Sequence, residues 1–262
     1  KIRLTGGEPL VRKDVGKIIQ TLGQYDTSLT LTTNGVFVDQ YLDELKNAGV
    51  TSLNVSLDTL QREQFFAITK RDHFVQIWDN IHLLLQEGFV VKINVVVLRG
   101  VNDSEIVDFV KLTLNNPNLH VRFIEFMPFS GNKWDMSKIV SYQNVLDAIG
   151  KEFSFSKLPG ALEDTAHHFQ VEGAQGTFGI IGTVTHPFCA GCNRIRLTSD
   201  GKLKNCLFDT TEVDLLTPLR NGEDVRKLIY DHFNKKHFAH GGHVEFTEKQ
   251  AQEEYSQNRR MI

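Results

Sequence analysis

Residues 1–10 read KIRLTGGEPL, a strand-like run that stops abruptly. Gly6 and Gly7 permit positive φ and a close approach of the backbone to a neighbour. Pro9 fixes its own φ and biases Glu8 away from the helical region. The result is a short, stiff, extended segment with exposed backbone polar groups, suited to holding the amino group of a ligand. A phosphate-cradling loop would instead run straight into a helix N-terminus; an ordinary βα turn is the plain alternative. The segments that follow place this loop in a fold. VGKIIQTLGQY (15–25) has apolar residues at helical spacing, and SLTLTTNG (28–35) reads as a strand closing in a turn. A helix is expected over 37–50, a strand at SLNVSLD (52–58) and two helices within 60–87. FVVKINVVVL (89–98) is β-branched in the manner of a strand covered on both faces. SEIVDFVKLTLNN (104–116) reads as a helix with Ser104 as cap candidate, and HVRFIEFMPF (120–129) is the last strand of the series.

Strand–helix alternation of this kind implies parallel strands joined by right-handed crossovers. Such a repeat closes into a barrel or stays an open sheet, and in both cases ligands bind at the C-terminal strand ends. GGEP, TTNG, SLD and MPFSGN all sit there, so they are expected to converge on one mouth. After about residue 130 the pattern changes. A helix is expected at 141–153, then Gly-punctuated strands HHFQVEG and GTFGIIG, a cysteine segment, and a late helix over 222–236. We therefore expect domains at 1–130 and 131–262, the second folding back on the first.

The 262 residues carry a net charge of −3, which gives no global basic field of the kind that marks nucleic-acid binders. No apolar run approaches the roughly 18 residues of a membrane helix, and no signal peptide is visible. A soluble, cytoplasmic protein with neither nucleic-acid nor membrane partners is expected. The first residue, Lys1, already lies in a strand-like run, so the chain is read as a piece of a longer protein.

The three cysteines are Cys189, Cys192 and Cys206, a C-x2-C-x13-C pattern. An odd, clustered set without a secretory signal argues against disulfides and for metal-bound thiolates. Asp200-Gly201 marks a hairpin turn that would return Cys206 beside the pair. A structural zinc would need a fourth ligand, for which His186 is available. Three thiolates without a fourth could equally hold a [4Fe–4S] cluster with one iron open to a substrate. Arg194 and Arg196, at alternate strand positions, would point to one face with forks suited to phosphate oxygens.

GGEP after a strand resembles the S-adenosylmethionine (SAM) motif of radical SAM enzymes. Together with LTTNG, NVSLD, RFIEFM and CAGCNRIRLTSDGKLKNCLF, the chain resembles the GTP 3′,8-cyclases of molybdenum cofactor biosynthesis, the MoaA-type enzymes, from Lys1 to about Phe208. The resemblance implies an α/β fold: a partial (β/α)6 radical SAM barrel lacking its first βα unit, with a C-terminal auxiliary-cluster domain. It implies that Gly7, Ser56 and Met127 contact SAM. It implies that Arg3, Thr33, Lys92, Arg194, Ile195 and Arg196 contact GTP, and that Cys189, Cys192 and Cys206 hold a [4Fe–4S] cluster whose open iron binds guanine. The implied reaction begins with a radical from SAM that takes hydrogen from the ribose. C3′ then bonds to C8, giving (8S)-3′,8-cyclo-7,8-dihydroguanosine 5′-triphosphate. The implied partners are GTP, SAM, an electron donor and a downstream cyclic pyranopterin monophosphate synthase, with a homodimer among the permitted assemblies. The family's first cluster is held by a C-x3-C-x2-C motif, and its tail ends in a double glycine. Neither motif stands in these residues, so a second [4Fe–4S] cluster is expected on a missing N-terminal segment, and this piece alone should not run the reaction. Two other readings remain at this stage: a radical SAM enzyme of other specificity, such as a peptide maturase with an auxiliary cluster, and a zinc-knuckle nucleotide-binding module.

Overall fold

In the computed structural model, which describes residues 1–128 and 134–237, the alternation read from the first half of the chain becomes a sheet. The elements are β1 (Ile2–Leu4), α1 (Val15–Gly23), β2 (Leu29–Thr33), α2 (Leu42–Asn47) and β3 (Ser52–Ser56). They continue with α3 (Arg62–Thr69), α4 (Phe74–Gln86), β4 (Val90–Val97), α5 (Ile106–Lys111) and β5 (Leu119–Glu125). All five strands pair in parallel, in sequence order. The expected Ser104 cap is absent: a 3-10 turn over Asp103–Glu105 precedes α5, and the Asn102 side chain carries the local hydrogen bonds instead.

The sheet does not end at β5. After α6 (Tyr142–Gly150), which opens on a Ser141–Asn144 capping box, come β6 (Phe155–Lys157), β7 (His167–Val171) and β8 (Thr177–Ile181). β8 pairs in parallel with β5, and β7 and β6 add antiparallel to it, giving the order β1-β2-β3-β4-β5-β8-β7-β6. The sheet is therefore mixed, eight-stranded and open. This corrects the expectation of a partial all-parallel barrel with β5 as its last strand. The physical reason is the edge of β5: its backbone groups need partners, and the chain beyond residue 130 supplies them.

Two compact units result. One holds Lys1–Phe126, Ser137–Pro159 and Ala166–Thr185; the other holds Met127–Met136, Gly160–Thr165 and the chain from His186 onward. A boundary at 130 cuts through the sheet, because β6 to β8 belong with β1 to β5. The second unit contains β9 (Arg196–Leu197), β10 (Lys202–Lys204), β11 (Val213–Asp214), α7 (Leu216–Arg220) and α8 (Arg226–Phe233). β10 lies between β9 and β11, antiparallel to both.

One face of the large sheet is apolar and covered by helices. Leu31, Leu53, Val55, Val91, Ile93, Val95, Val121 and Phe123 are buried there with Ile19, Leu45, Ile81 and Phe109. β4 alternates strictly, with Val91, Ile93, Val95 and Val97 buried and Val90, Lys92, Asn94 and Val96 half-buried. It is thus not covered equally on both faces, as its β-branched composition suggested. The valines at 90 and 96 hid a polar face.

Candidate functional site

That polar face is assembled by strand register. In a parallel sheet, paired residues on adjacent strands share a face. Thr32, Asn54, Lys92 and His120 form one row across β2 to β5, and Ser56, Asn94 and Arg122 form the next; Arg3, paired with Thr30, lies on the same side. Arg122 is only 8% exposed. Its Nε donates to Asn94 Oδ1 at 3.0 Å and its Nη2 to Asn54 Oδ1 at 2.7 Å, while Asn54 Nδ2 donates to Thr32 Oγ1 at 3.0 Å. These acceptors are neutral amides. Burial, aided by the charge of Arg3, lowers the Arg122 pKa to about 10. Burial, then Lys92, His168 and Arg122, pushes the neighbouring His120 down to about 4, and its Nδ1 lies 2.6 Å from Thr177 Oγ1. The strand positions 3, 30, 32, 52, 54, 56, 90, 92, 94, 96, 120, 122 and 124 on this face contain no carboxylate. A buried cation held only by amides and surrounded by other cations is a poor structural element and a good anion site.

The GGEP segment is tied down by its acid. Glu8 Oε1 accepts from Leu10 N at 3.1 Å and Thr33 Oγ1 at 2.7 Å, and Oε2 accepts from Asn34 N at 2.6 Å. Glu8 thus joins GGEP to the TTNG turn, so the segment's acceptor serves the chain itself. Thr33 is 2% exposed and also accepts from Gly35 N at 3.0 Å. It pairs with Val55 on the apolar face, on the opposite side of the sheet from Arg3, Lys92 and Arg122. Gly6 sits at φ +144, where a side chain is strained, whereas Gly7 lacks a positive φ. A Cβ at either position would meet nothing within 4 Å, so this backbone is open to a ligand.

Ser56, at the end of β3, is exposed and lines a cleft of about 230 Å³ with Asn34, Asp58, Thr59 and Arg71. Asp58 Oδ1 accepts from Val96 N at 2.8 Å, and among the described residues no donor reaches Oδ2. Burial raises the Asp58 pKa to about 6 against that hydrogen bond. The MPFSGN segment lies partly outside the described residues; Met127 is half-buried at its start.

In the second unit, Cys189 and Gly191 bound a 3-10 turn that Cys192 closes, with Cys192 N donating to Cys189 O at 3.0 Å. β9 and β10 form the expected hairpin, with Gly201 at φ +79 in its turn. Cys206 follows β10 by two residues. Its thiol is raised by burial and further by Cys189 and Cys192, so the three sulfurs are electrostatic neighbours. Cys192 is lowered: burial opposes ionisation, but the backbone N–H, charge and side chain of Arg194, and the charge of Lys236, outweigh it. Soft thiolates free of disulfides suit an iron–sulfur cluster. In kind and neighbourhood the donor set fits, although among the described residues no three His, Cys, Asp or Glu side chains, His186 included, are gathered into a metal-holding group.

Only Arg196 of the two arginines lies on β9. Arg194 precedes the strand and turns its guanidinium over the Phe188 ring at 4.7 Å, to Thr165 Oγ1 and to Cys192 Sγ at 3.4 Å. Strand alternation is thus not what relates them. Burial first, then the charge of Arg194, lowers Arg196. Among the described residues the Arg196 side chain has no hydrogen bond or carboxylate partner, but Cys206 and Cys192 act on its charge, and Ile195 between the two arginines is 43% exposed.

The chain is similar to known proteins along most of its length. Residues 1–113 match the model of the radical SAM superfamily, and residues 119–241 match that of the molybdenum cofactor synthesis C domain. The GTP 3′,8-cyclase of Peptoclostridium acidaminophilum is 41% identical over 246 residues, 92% of this chain and 74% of its own length. The chain belongs to the GTP 3′,8-cyclase family. A mitochondrial GTP 3′,8-cyclase of Arabidopsis thaliana is 43% identical over 94% of this chain, and molybdenum cofactor biosynthesis protein 1 of Bos taurus is 42% identical over 92%. The chain spans 65% and 39% of those two relatives. The structure of Streptococcus suis SuiB bound to S-adenosylmethionine shares the fold, with a TM-score of 0.55 at 14% identity over 97% of this chain and 59% of that one.

Within this cyclase-family chain, sequence reasoning missed Arg122, Asp58 and Gly191. Arg122 stands two positions from His120 and pairs in register with Asn94, a signal visible once the strands are aligned. Asp58 was quoted within SLD but not singled out. Gly191 had no signal beyond lying inside Cys-x2-Cys. A Cβ there would stand 1.8 Å from the Leu162 carbonyl oxygen.

Proposed function

We propose that this chain carries the GTP- and SAM-binding surfaces of a GTP 3′,8-cyclase, the first step of molybdenum cofactor biosynthesis. The observation that carries the reading is the cationic face around Arg122: a buried guanidinium with only amide acceptors, beside the cations Arg3 and Lys92. It supplies charge and donors for a polyanion, and charge-assisted bonds of this kind are the strong ones. Arg3, Lys92 and Arg122 bind triphosphate oxygens, and Arg194, Ile195 and Arg196 offer a second set of contacts near the cysteines. Thr33 supports the Glu8 strap and shapes the turn beneath the ligand. Gly7, Ser56 and Met127 contact SAM, with Asp58 lining the same cleft as Ser56.

Cys189, Cys192 and Cys206 hold a [4Fe–4S] cluster, which when bound supplies an open iron as a Lewis-acid site for the guanine. All three cysteines of the sequence are spent there, so reductive cleavage of SAM needs a cluster held by thiolates outside these 262 residues. An electron donor, and a synthase that consumes the cyclised nucleotide, complete the expected partners. No helix among the described residues is long and apolar enough to cross a membrane. A cytoplasmic location is proposed with the rest, although the Arabidopsis relative is named mitochondrial.

The test is equilibrium dialysis of GTP and guanosine against the anaerobically reconstituted chain, with iron and zinc measured on the same sample. The expected result is iron without stoichiometric zinc, and GTP bound far more tightly than guanosine at low salt. Equal affinities would overturn the triphosphate assignment. One zinc per chain and no iron would overturn the cluster in favour of a zinc module.

A further inference from the structure

α8 is docked onto both arms of the cysteine hairpin. On one arm, Asn205, which precedes Cys206, donates from Nδ2 to His232 O at 2.5 Å. On the other, Lys236, three residues beyond the end of α8, donates from Nζ to Arg194 O at 2.7 Å and to Cys192 Sγ at 3.5 Å. The chain turns sharply to place it: Lys235 N donates to His232 O and Lys236 N to Phe233 O, both at 3.0 Å. A cation at this position also complements the negative end of the helix.

Cys192 therefore receives two cationic donors, Lys236 at 3.5 Å and Arg194 at 3.4 Å. The two arms differ in what else holds them. Arg194 is fixed by the Phe188 ring and Thr165 as well, so its place survives loss of the sulfur contact. Lys236 has two acceptors, and both belong to the Cys192 loop. Cys206 is placed differently: it is buried, and the charge of Arg196 and a backbone N–H at Phe208 only partly offset that burial.

We infer that the ammonium of Lys236 offsets the charge on the Cys192 sulfur and raises the reduction potential of a cluster held there. The inference rests on the cluster reading of Cys189, Cys192 and Cys206. Hydrogen bonds to ligand sulfurs, net charge and solvent exposure set the potentials of such clusters. One-electron reduction adds negative charge to the cluster, and a fixed ammonium on a ligand sulfur favours the reduced form. The cation thus comes from the chain just beyond a helix, some thirty residues past the last cysteine.

The experiment is a dithionite titration, followed by electron paramagnetic resonance, of the 262-residue chain reconstituted anaerobically with iron and sulfide. Wild type, Lys236→Gln and Lys236→Arg are compared, with iron and sulfide counted first. The glutamine variant should keep its iron while its reduced-to-oxidised ratio at fixed potential falls about tenfold, a midpoint lower by about 59 mV. The arginine variant should stay near wild type, because it retains a cation within reach. An unchanged midpoint in a fully loaded Lys236→Gln protein overturns the inference, as does an equal shift in Lys236→Arg. Loss of iron from Lys236→Gln with native circular dichroism also overturns it, since the lysine would then hold the loop together rather than tune its charge. If wild type takes up no iron, the cluster reading falls and this inference falls with it, an outcome read before any variant is titrated.

Discussion

Replacing Arg122 by Met separates a structural from a ligand-binding role for the buried cation. The guanidinium is 8% exposed, and burial lowers its pKa by two to three units, to about 10. At about 1.4 kcal/mol per unit that depression corresponds to about 3 kcal/mol of strain on the charged form, which methionine would relieve. Against it stands the loss of two hydrogen bonds, to Asn94 at 3.0 Å and Asn54 at 2.7 Å. Leaving those two amide oxygens without a donor costs about 1–3 kcal/mol each. The opposed effects are of similar size, so Arg122→Met should change unfolding free energy by no more than about 3 kcal/mol. An anionic ligand sees no such cancellation. Each charge-assisted hydrogen bond lost weakens GTP by about 1.5–3 kcal/mol, a factor on the order of 10 to 150. Denaturant unfolding gives the first number and equilibrium dialysis the second, with guanosine as the phosphate-free control. Guanosine should bind both proteins alike, and Arg122→Lys should fall between them. A folded Arg122→Met protein that binds GTP as tightly as wild type would refute the reasoning. So would a loss of more than about 4 kcal/mol in stability, because the arginine would then be a net support of the sheet.

Gly191→Ala forces a Cβ to within 1.8 Å of the Leu162 carbonyl oxygen. It should displace the cysteine loop at a cost of about 1–3 kcal/mol and lower iron uptake on reconstitution, measured by thermal unfolding and iron assay. Cys206→Ser should strip most of the iron; a full complement of four irons per chain would contradict the cluster assignment. Asp58 has a native pKa of about 6 against 3.8 unfolded, so the native state retains a proton that the unfolded chain releases. Stability carried by that proton is present below pH 3.8 and is lost as pH rises toward 6. Asp58→Asn should therefore stabilise the protein by about 1–3 kcal/mol at pH 7.5 and by almost nothing near pH 4, as read by urea unfolding at the two pH values. His120 works the opposite way: its native pKa of about 4 lies below 6.5, so its contribution is full above 6.5 and is lost as pH falls through 4.

Local pattern was enough for the first five strands and for the helices between them. Each is short, bounded by Gly, Pro or Asn, and written in a clear period of two or of 3.6. The hairpin after Cys192 was equally legible, since Asp200-Gly201 is a local signal that needs no distant partner. The motifs GGEP, NVSLD and C-x2-C-x13-C were enough to point to the family, because each places an unusual set of residue types at a fixed spacing. What those motifs could not convey was which side chains are spent inside the protein. Glu8 and Thr33 bond to each other across 25 positions, and Arg194 is held by Phe188, Thr165 and Cys192.

Three matters were decided only by tertiary structure. Whether the sheet ends at β5 depends on whether another strand reaches its edge, and β8 comes from more than fifty residues later. Whether Arg122 is a surface or a buried cation depends on the register of β5 against β4 and of β4 against β3, which sets Asn94 and Asn54 beside it. Whether Cys192 faces Arg194 alone or a second cation as well depends on where α8 docks. In each case the sequence by itself determined the element, because a period of two or of 3.6 is written in neighbouring residues. The partner of that element lay far along the chain, and only packing, through the need to pair a strand edge, bury an apolar face or place a charge, could choose it.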